Sequence, residues 1–363
     1  MSSATKWDLL VGRGDPARTE IVDGACPDLQ PDEVLLRVDR VGVTANNVTY
    51  ALLGDAMNYW AFFPAEEGWG RVPLWGFADV EASNVLGVEV GARFYGYLPT
   101  SSHLVVRPTK IGPAGFRDSS EHRAALPGPY NIYAATDADP GYALEHEDLQ
   151  ILYRPLFITS FMLDDFLDDN AFFGAETVVM SSASSKTAYG TAFCLGLRDQ
   201  RPKLVGLTSP GNLGFTDELG CYDEVIAYAD LTRLPLDAPT LYADFAGSTP
   251  LRSSINDHLR DRLTHDAIIG ATHLEETALE PAGELPGPAP QFFFAPDQIR
   301  KRRADWGPGG IEQRFGATWS LFVPTVESWV DVQVGGGPEG LRSAWLEVLS
   351  GQSDPRTGHV IKL

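Results

Sequence analysis

A segment near the middle of the chain combines an apolar strand, a turn of very small residues and the start of a helix. Thr177–Met180 is a short apolar, β-branched run, Ser181–Ser185 reads SSASS, and a helix-compatible run extends from Lys186 to Leu197. A helix N-terminus offers free N–H groups and the positive end of its dipole, and small side chains let a phosphate approach the backbone. This geometry is typical of a dinucleotide pyrophosphate site. The predicted phosphate contacts are Ser182, Ser184, Ser185, Lys186 and Thr187.

The glycines that usually line such a turn are absent. When the pattern G-x-x-G-x-x-G is placed on Ser182, Ser185 and Ala188, every glycine position holds Ser or Ala. An ordinary strand–helix turn with a serine N-cap explains the same residues, and even an intact glycine pattern needs structural context. Both interpretations remain open on this segment alone.

The next apolar strand, Lys203–Thr208, bears on the choice of dinucleotide. NAD sites usually carry an acid at the end of this strand, where it accepts from the ribose 2′-hydroxyl. Here the strand ends in Thr208, and Ser209 and Asn212 follow it, so hydroxyl and amide groups replace the acid. Because a 2′-phosphate would be tolerated there, the sequence favours NADP(H) over NAD(H). Plain turn chemistry is the alternative for Ser209 and Asn212.

From Glu176 onward, short apolar strands alternate with helices, which predicts a parallel sheet with helices on both faces. Ligands of such sheets bind at the carboxyl ends of the strands. Two pairs of small residues follow later strands of this region and are predicted backbone contacts: Ala246-Gly247 and Gly270-Ala271.

The first hundred or so residues are predicted to be rich in β-strands, of which Glu33–Val43 alternates most clearly. Met57–Gly76 carries six aromatic residues. That segment is either a loop packed by its own rings or the wall of an apolar pocket. Ser119–Asp148 is polar and predicted to be a surface insertion, and a helix is predicted to begin just after Pro155.

Composition excludes several partners. The 363 residues include 28 Lys and Arg against 49 Asp and Glu, a net charge of −21, which disfavours nucleic acid and anionic membranes as partners. No signal segment and no apolar run of the roughly 18 residues that a membrane span requires is present. The three cysteines lack C-x-x-C spacing, which favours a reduced cytoplasmic compartment.

Several segments resemble the medium-chain dehydrogenase/reductase superfamily. Asp32–Asp55 and Val72–Val106 are similar to the first two catalytic-domain segments of its quinone oxidoreductase branch. The run VVMSSASSKTAYGTAFCLGLRDQRPKLVGLTS resembles its cofactor strand, turn, helix and second strand, and GHVIKL resembles its closing strand. YWAFFP, SSASSKTA and RPLFITSF together resemble an uncharacterised bacterial branch, a domain family of unknown function.

The resemblance implies an α/β fold with a GroES-like β-barrel domain and a Rossmann domain that holds a doubly wound parallel sheet. The barrel would comprise residues 1–155, completed by 320–363, and the Rossmann domain residues 156–319. Zinc-dependent members carry Cys after the first Gly-Val and a Gly-His-Glu further on. Those places read Gly42-Val43-Thr44 and Gly76-Phe77-Ala78 here, and the four-cysteine lobe is absent. Without sulfur and imidazole ligands we expect no metal.

The resemblance also implies roles for individual residues. Tyr59 falls near a tyrosine of enoyl-reducing members, Asn47 falls at a family aspartate, and Thr159 resembles a threonine that approaches the nicotinamide. These three are the predicted catalytic residues, and Tyr228 is a predicted phosphate or adenine contact. The structural alternatives are a stacked core tyrosine for Tyr59 and helix caps for Asn47 and Thr159.

The function that these features predict is a zinc-independent, NADPH-dependent reductase of an apolar enone, quinone or other carbonyl compound. The alternative is the same fold without hydride chemistry, as a lyase, an isomerase or a non-catalytic binding protein. The serine-lined turn motivates this alternative, because its side chains would crowd a pyrophosphate.

An assembly is also predicted. Gln291-Phe292-Phe293-Phe294-Ala295 reads as the final strand of the cofactor sheet, with rings on both faces. An unpaired apolar edge is an aggregation hazard, so we predict a homodimer joined through residues 291–295. The alternative is a strand covered by the helix around Ile299–Asp305.

Overall fold

The computed structural model describes residues 5–269, 285–351 and 353–363. The chain divides into two compact units, Met1–Pro155 with Val323–Leu363 and Leu156–Phe322. Gly270 and Ala271, two of the predicted cofactor contacts, lie outside the described residues. None of the described helices is both long enough and apolar enough to cross a bilayer.

The described strands, in chain order, are β1 (Thr5–Gly12), β2 (Thr19–Ala25), β3 (Val34–Val43), β4 (Trp69–Gly70), β5 (Leu74–Ser83), β6 (Arg93–Leu98), β7 (His103–Val106), β8 (Pro108–Gly112), β9 (Gly115–Asp118), β10 (Ile132–Ala135), β11 (Thr177–Met180), β12 (Lys203–Thr208), β13 (Glu224–Ala227), β14 (Thr240–Asp244), β15 (Leu263–Ile268), β16 (Gln291–Phe292), β17 (Asp331–Gly336) and β18 (Thr357–Lys362). The α-helices are α1 (Ala45–Leu52), α2 (Glu147–Asp169), α3 (Lys186–Gly196), α4 (Leu213–Glu218), α5 (Thr249–Leu259), α6 (Ala295–Trp306), α7 (Gly310–Glu327) and α8 (Gly337–Leu349).

The first unit is built on β3. One sheet has the order β17-β18-β3-β5-β6-β10-β9-β8, with β7 also paired to β3, and a second has the order β2-β1-β4. Strand β3 pairs antiparallel with β5, β7 and β18. Its apolar residues are buried, as the alternation in the sequence predicts. A core of aliphatic and aromatic residues packs against these strands and includes Trp345 of α8.

An ion network ties β6 to its neighbours in this unit. The Arg93 guanidinium donates to Glu147 at 2.6 and 2.8 Å, to Asp79 at 2.8 Å and to Asp39 at 2.6 Å. Glu147 is fully buried at the first turn of α2. Because a buried carboxylate requires such partners, the pairing with Arg93 fixes the first turn of α2 against β6.

The segment 119–148 is not the surface insertion that its polarity predicts. It contributes β10, which pairs with β6 and β9. Arg123 is buried and donates to Asp118 at 2.8 Å and to the Tyr133 hydroxyl at 3.0 Å. These polar residues pair with one another inside the unit, and composition alone does not reveal such pairing.

Helix α2 begins before Pro155, and the prediction that it starts after this proline is wrong. The helix runs from Glu147 to Asp169 with Pro155 inside it. A proline removes one helical hydrogen bond and crowds the preceding turn. Ile151, Leu152, Tyr153 and Phe157 are nevertheless buried, so packing on both sides of the proline outweighs this cost.

The second unit contains a parallel sheet in the order β13-β12-β11-β14-β15-β16. Every residue of β11 and β14 is buried, as expected for strands covered on both faces. The order reverses after β11, which runs into the SSASS turn. Turns at such a position are where doubly wound sheets bind ligands.

The phenylalanine run at the last strand of this sheet is only partly buried. Strand β16 has two residues, and Phe293 beyond it packs its ring 5.2 Å from that of Phe166. Phe292 is 67% exposed and Phe294 is 51% exposed, with their rings stacked at 6.2 Å. The rings therefore lie on both faces, but in the described chain only one face is covered.

Candidate functional site

The SSASS turn connects β11 to α3 in a conformation that usually requires glycine. Ser182 has a φ of +49°, in the left-handed region. Ser185 is the N-cap of α3, and its hydroxyl accepts from the amide of Ala188. The sequence therefore forms the strand, turn and helix start that were predicted, with serine in place of the first glycine.

The buried carboxylate of Asp244, at the end of β14, is hydrogen-bonded to the first residue of this turn. It accepts from the Ser181 hydroxyl at 2.8 Å and from the amides of Ala246 and Gly247, each at 3.0 Å. Arg252 of α5 pairs with its second oxygen. The amides of Ala246 and Gly247 are thus used inside the protein, and these two predicted contacts have no N–H left to donate to a ligand.

Two tyrosines hold the backbone of the turn. The Tyr228 hydroxyl accepts from the Ser182 amide at 2.8 Å, and the Tyr222 hydroxyl donates to the Ala183 carbonyl at 2.9 Å. The left-handed conformation of Ser182 is therefore fixed by tertiary contacts. Tyr228 thus contacts the backbone of the turn, and its contact with a phosphate or adenine stays a prediction.

Three of the predicted contacts meet beside the turn. The Ser184 hydroxyl lies 3.1 Å from Asn212 Nδ2 and 3.4 Å from Thr208 Oγ1. Ser209 follows directly and is half-buried. The group contains hydroxyl and amide functions and no acid, so it can donate hydrogen bonds to an anionic oxygen.

Lys186 and Thr187 form the first turn of α3. Burial lowers the pKa of Lys186 to about 8. The Thr187 carbonyl accepts from Ser160 of α2 at 2.8 Å and from Thr191 at 2.9 Å. A bound phosphate would raise the pKa of Lys186, because an anion favours the charged ammonium.

These residues fit the phosphates of a dinucleotide. An eleven-residue helix begins at the turn, and the Ser184 amide has no acceptor among the described residues. Gly206 of β12 makes room for the turn, because a Cβ there would lie 2.9 Å from the Ala183 Cβ. The serine side chains that raised the alternative interpretation are largely engaged with the protein.

Thr159 lies inside α2 and is half-buried. Its position in the middle of a helix rules out the capping role that was the structural alternative. Its neighbour Ser160 forms the contact to α3, and a Cβ on Gly190 would lie 2.7 Å from the Ser160 hydroxyl. Helices α2 and α3 therefore cross closely beside Thr159.

In the first unit, four tyrosines from distant parts of the sequence pack together, and we call Tyr50, Tyr59, Tyr97 and Tyr130 the tyrosine cluster. The ring centroids of Tyr50 and Tyr59 are 4.6 Å apart, and those of Tyr97 and Tyr130 are 4.7 Å apart. Trp75 adjoins the cluster, with its ring 5.1 Å from Tyr97. The aromatic segment 57–76 thus packs partly on itself and partly against residues that lie far away in sequence.

The rings of Tyr59 and Tyr130 pack edge to face with their centroids 6.2 Å apart. Burial together with Tyr130 raises the pKa of Tyr59 well above its ordinary value. The Tyr50 hydroxyl accepts from Asn46 at 2.6 Å, and burial raises the pKa of Tyr50 to about 12. Tyr59 is half-buried and fully protonated at neutral pH, so its hydroxyl can serve as a donor.

Asn47 forms the helix cap that was the structural alternative to its predicted catalytic role. Its Oδ1 accepts from the Thr44 amide at 2.7 Å and the Thr44 hydroxyl at 3.0 Å, and its Nδ2 donates to the Pro73 carbonyl at 2.9 Å. The side chain is buried. Asn47 thus closes the capping box of α1. In residues 5–269, 285–351 and 353–363, no group of three or more His, Cys, Asp or Glu side chains is arranged to hold a metal ion.

Comparison with known protein families identifies the family of this chain. Residues 41–354 match the model of a protein family of unknown function, DUF2855. The chain belongs to this family. No curated protein matches the sequence. The resemblance to an uncharacterised bacterial branch is therefore confirmed.

Solved structures confirm the fold of this DUF2855 member. A candidate NADPH:quinone reductase from Mesorhizobium loti matches with a TM-score of 0.65 and 14% identity over 100% of both chains. CurA from Vibrio vulnificus, in complex with NADPH, matches at 0.60 and 15% over 99% of both. The quinone oxidoreductase of Coxiella burnetii matches at 0.53 and 12%, over 99% of this chain and 100% of that one. The fold is a GroES-like domain with a Rossmann domain, as predicted.

Sequence reasoning missed the residues that hold these sites. Ser181 and Asp244 are 63 positions apart, and Tyr130 lies in the segment interpreted as an insertion. An aspartate at the end of an otherwise apolar strand, LYAD, was an available signal for Asp244, because a buried carboxylate requires partners.

Asp266 of β15 provides a pH-dependent test of the buried network. It accepts from Asn256 at 3.2 Å, its other oxygen lies 3.6 Å from Arg252 Nε, and burial raises its pKa to about 6. A raised carboxyl pKa makes the folded state lose stability as the pH rises from about 4 to about 6. We therefore expect Asp266→Asn to gain about 3 kcal/mol relative to the wild type between pH 4 and pH 7.

Urea denaturation at both pH values measures this difference. Asp257→Asn, an exposed acid on α5, is the matched control and is expected to show no such change with pH. An Asp266→Asn variant whose stability relative to the wild type is the same at both pH values would contradict the raised pKa.

Proposed function

We propose that this protein is a zinc-independent, NADPH-dependent oxidoreductase that reduces an apolar enone, quinone or related carbonyl compound. The observation that carries the cofactor is the Ser184–Thr208–Asn212 group beside the start of α3, where an NAD site would hold an acid. CurA, which has the same fold, was crystallised with NADPH, and that likeness supports the proposal.

The residues of the second unit would bind and orient the dinucleotide. The α3 N-terminus and the Ser184 amide would receive the pyrophosphate, and Lys186 would add a positive charge beside it. Ser209 and Asn212 would donate to the 2′-phosphate. NADPH, when bound, supplies the hydride. Thr159 is proposed to contact the nicotinamide, as the resemblance implies.

The residues of the first unit would handle the substrate oxygen. Tyr59 would donate a hydrogen bond to the carbonyl or enolate oxygen, and the edge-to-face contact with Tyr130 would hold the Tyr59 ring in place. Because its raised pKa keeps Tyr59 protonated, the proton is available at the phenol oxygen at neutral pH. The aromatic rings around Tyr59 would favour an apolar substrate. Asn47 is proposed to act indirectly, by fixing α1 and with it Tyr50.

The test is NADPH consumption against a panel of enones and quinones. We expect Tyr59→Phe to lower kcat by at least about 100-fold, the scale of a lost general acid. Tyr142→Phe is the matched control, because Tyr142 donates to Glu147 outside the tyrosine cluster. Unchanged turnover in Tyr59→Phe would remove Tyr59 from the mechanism.

Calorimetry with NADPH and NADH separates this proposal from the same fold without hydride chemistry. We expect NADPH to bind more tightly, and at pH 8 to take up a proton that Lys186→Gln no longer takes up, because a phosphate raises the pKa of the lysine. If neither nucleotide binds at millimolar concentration, the fold serves as a lyase, an isomerase or a binding protein.

We further propose a homodimer joined through residues 291–295. Phe292 and Phe294 form an exposed, stacked pair at the last described strand of the parallel sheet. Pairing with a second copy would cover both rings and the strand edge.

Light scattering at micromolar concentration tests the assembly. The wild type is expected to have twice the chain mass of 39.5 kDa. Phe292→Asp is expected to shift it to the monomer, because a carboxylate cannot be buried at such a contact without a partner. Leu321→Asp, an exposed leucine on α7, is the control and should leave the dimer intact. A monomeric wild type would overturn the proposal.

A further inference from the structure

A cavity lies within the first unit. Its volume is about 230 Å³, and four basic or imidazole side chains line it: Lys6, Arg71, His103 and His122. Phe63 and Leu104 contribute apolar wall. The cavity and the tyrosine cluster share contact with Phe63, but no tyrosine of that cluster is among the described residues that line the cavity.

The charge of the lining is opposite to that of the whole protein. The chain carries 49 acids against 28 bases, yet none of the described residues lining this cavity is acidic. The nearest carboxylates pair with the basic residues: Asp8 accepts from Arg71 at 2.9 Å and lies 3.4 Å from Lys6, and Glu81 lies 3.1 Å from the His103 ring. Lys6 and Arg71 therefore share one carboxylate, Asp8, while Glu81 pairs with His103.

Asp8 holds these cations in place. Burial alone would raise its pKa, but hydrogen bonds from Arg71 and Ser101 outweigh burial, and the pKa of Asp8 lies below its ordinary value. Asp8 is therefore ionised at neutral pH and positions Arg71, Lys6 and Ser101 together. A preformed group of this kind loses little entropy when it binds a ligand.

Arg71 retains donor capacity after these contacts. One terminal nitrogen donates to the Pro64 carbonyl and the other to Asp8. Its Nε is buried and has no hydrogen-bond partner among the described residues. A guanidinium has five N–H donors arranged to match a carboxylate. The buried Nε–H is closed off from the cavity, but each terminal nitrogen carries two N–H groups and uses one in these contacts, so two donors remain for an anionic oxygen.

We propose that this cavity binds a small carboxylate with an apolar body, such as an aromatic acid. The carboxylate would face Arg71 and Lys6, and the apolar part would pack on Phe63 and Leu104. The volume is below the roughly 300–1,000 Å³ of pockets for drug-sized ligands, which limits the ligand to a single ring or a short chain. The apolar wall favours such an acid over an inorganic anion.

Calorimetry with sodium benzoate tests the site, and benzamide serves as the neutral analogue of the same shape. We expect benzoate to bind and benzamide to bind at least about tenfold more weakly, the scale of a charge-assisted hydrogen bond. Lys6→Gln and Arg71→Gln should each weaken benzoate binding by about tenfold. Lys110→Gln removes one positive charge from an exposed position on β8 outside the cavity and should change binding by less than about twofold.

Circular dichroism shows whether Arg71→Gln is correctly folded. If it is not, the test rests on benzoate binding to Lys6→Gln alone. Equal binding of benzoate and benzamide would overturn the proposal, as would an equal loss in Lys6→Gln and Lys110→Gln. Displacement of benzoate by inorganic phosphate at equal concentration would also overturn it, because the apolar wall would then contribute nothing. The measurement contains no nicotinamide, so its outcome is independent of the proposed function.

Discussion

The parallel sheet of the second unit depends, at the carboxyl ends of its central strands, on one buried charge. Asp244 is fully buried and accepts from a serine hydroxyl, two backbone amides and an arginine. An ionised carboxylate is stable in such a place only when its oxygens are fully hydrogen-bonded. This requirement fixes the turn after β11 to the turn after β14, so both turns keep one arrangement.

The same constraint explains how the turn forms without glycine. A serine in the left-handed region costs roughly 1–2 kcal/mol, and Ser182 is kept there because its amide donates to Tyr228 while Ser181 is held by Asp244. Side-chain contacts thus stabilise a left-handed backbone conformation that glycine adopts without strain in other proteins. The consequence for the proposed cofactor site is that the amides of Ala246 and Gly247 are already used by Asp244, which leaves Ser184, Lys186 and the α3 N-terminus as the proposed contacts.

In the first unit, the Arg93 network positions a helix, whereas the tyrosine cluster supplies neutral hydrogen-bond donors. Arg93 fixes the start of α2 against β6, β3 and β5 through fully or partly buried carboxylates. The segment that follows β9 brings Tyr130 to Tyr59 and Tyr97. Burial among aromatic rings raises the pKa values of these phenols, so the cluster is neutral and presents donors without introducing a charge.

The sequence by itself determined the features that depend on local pattern. The strand TVVM, the alternation of β3 and the N-cap at Ser185 follow from residue type and spacing, because burial of a strand face and capping of a helix are local requirements. The absence of an acid after β12 can likewise be read from the sequence.

Tertiary structure decided what depends on distant partners. A polar residue such as Arg123 reads as a surface position until its partners are known, since a buried charge is tolerated only when paired. Helix α2 continues through Pro155 because packing on both sides outweighs the local break, and Asn47 caps α1 and binds Pro73 because the fold brings that carbonyl to it.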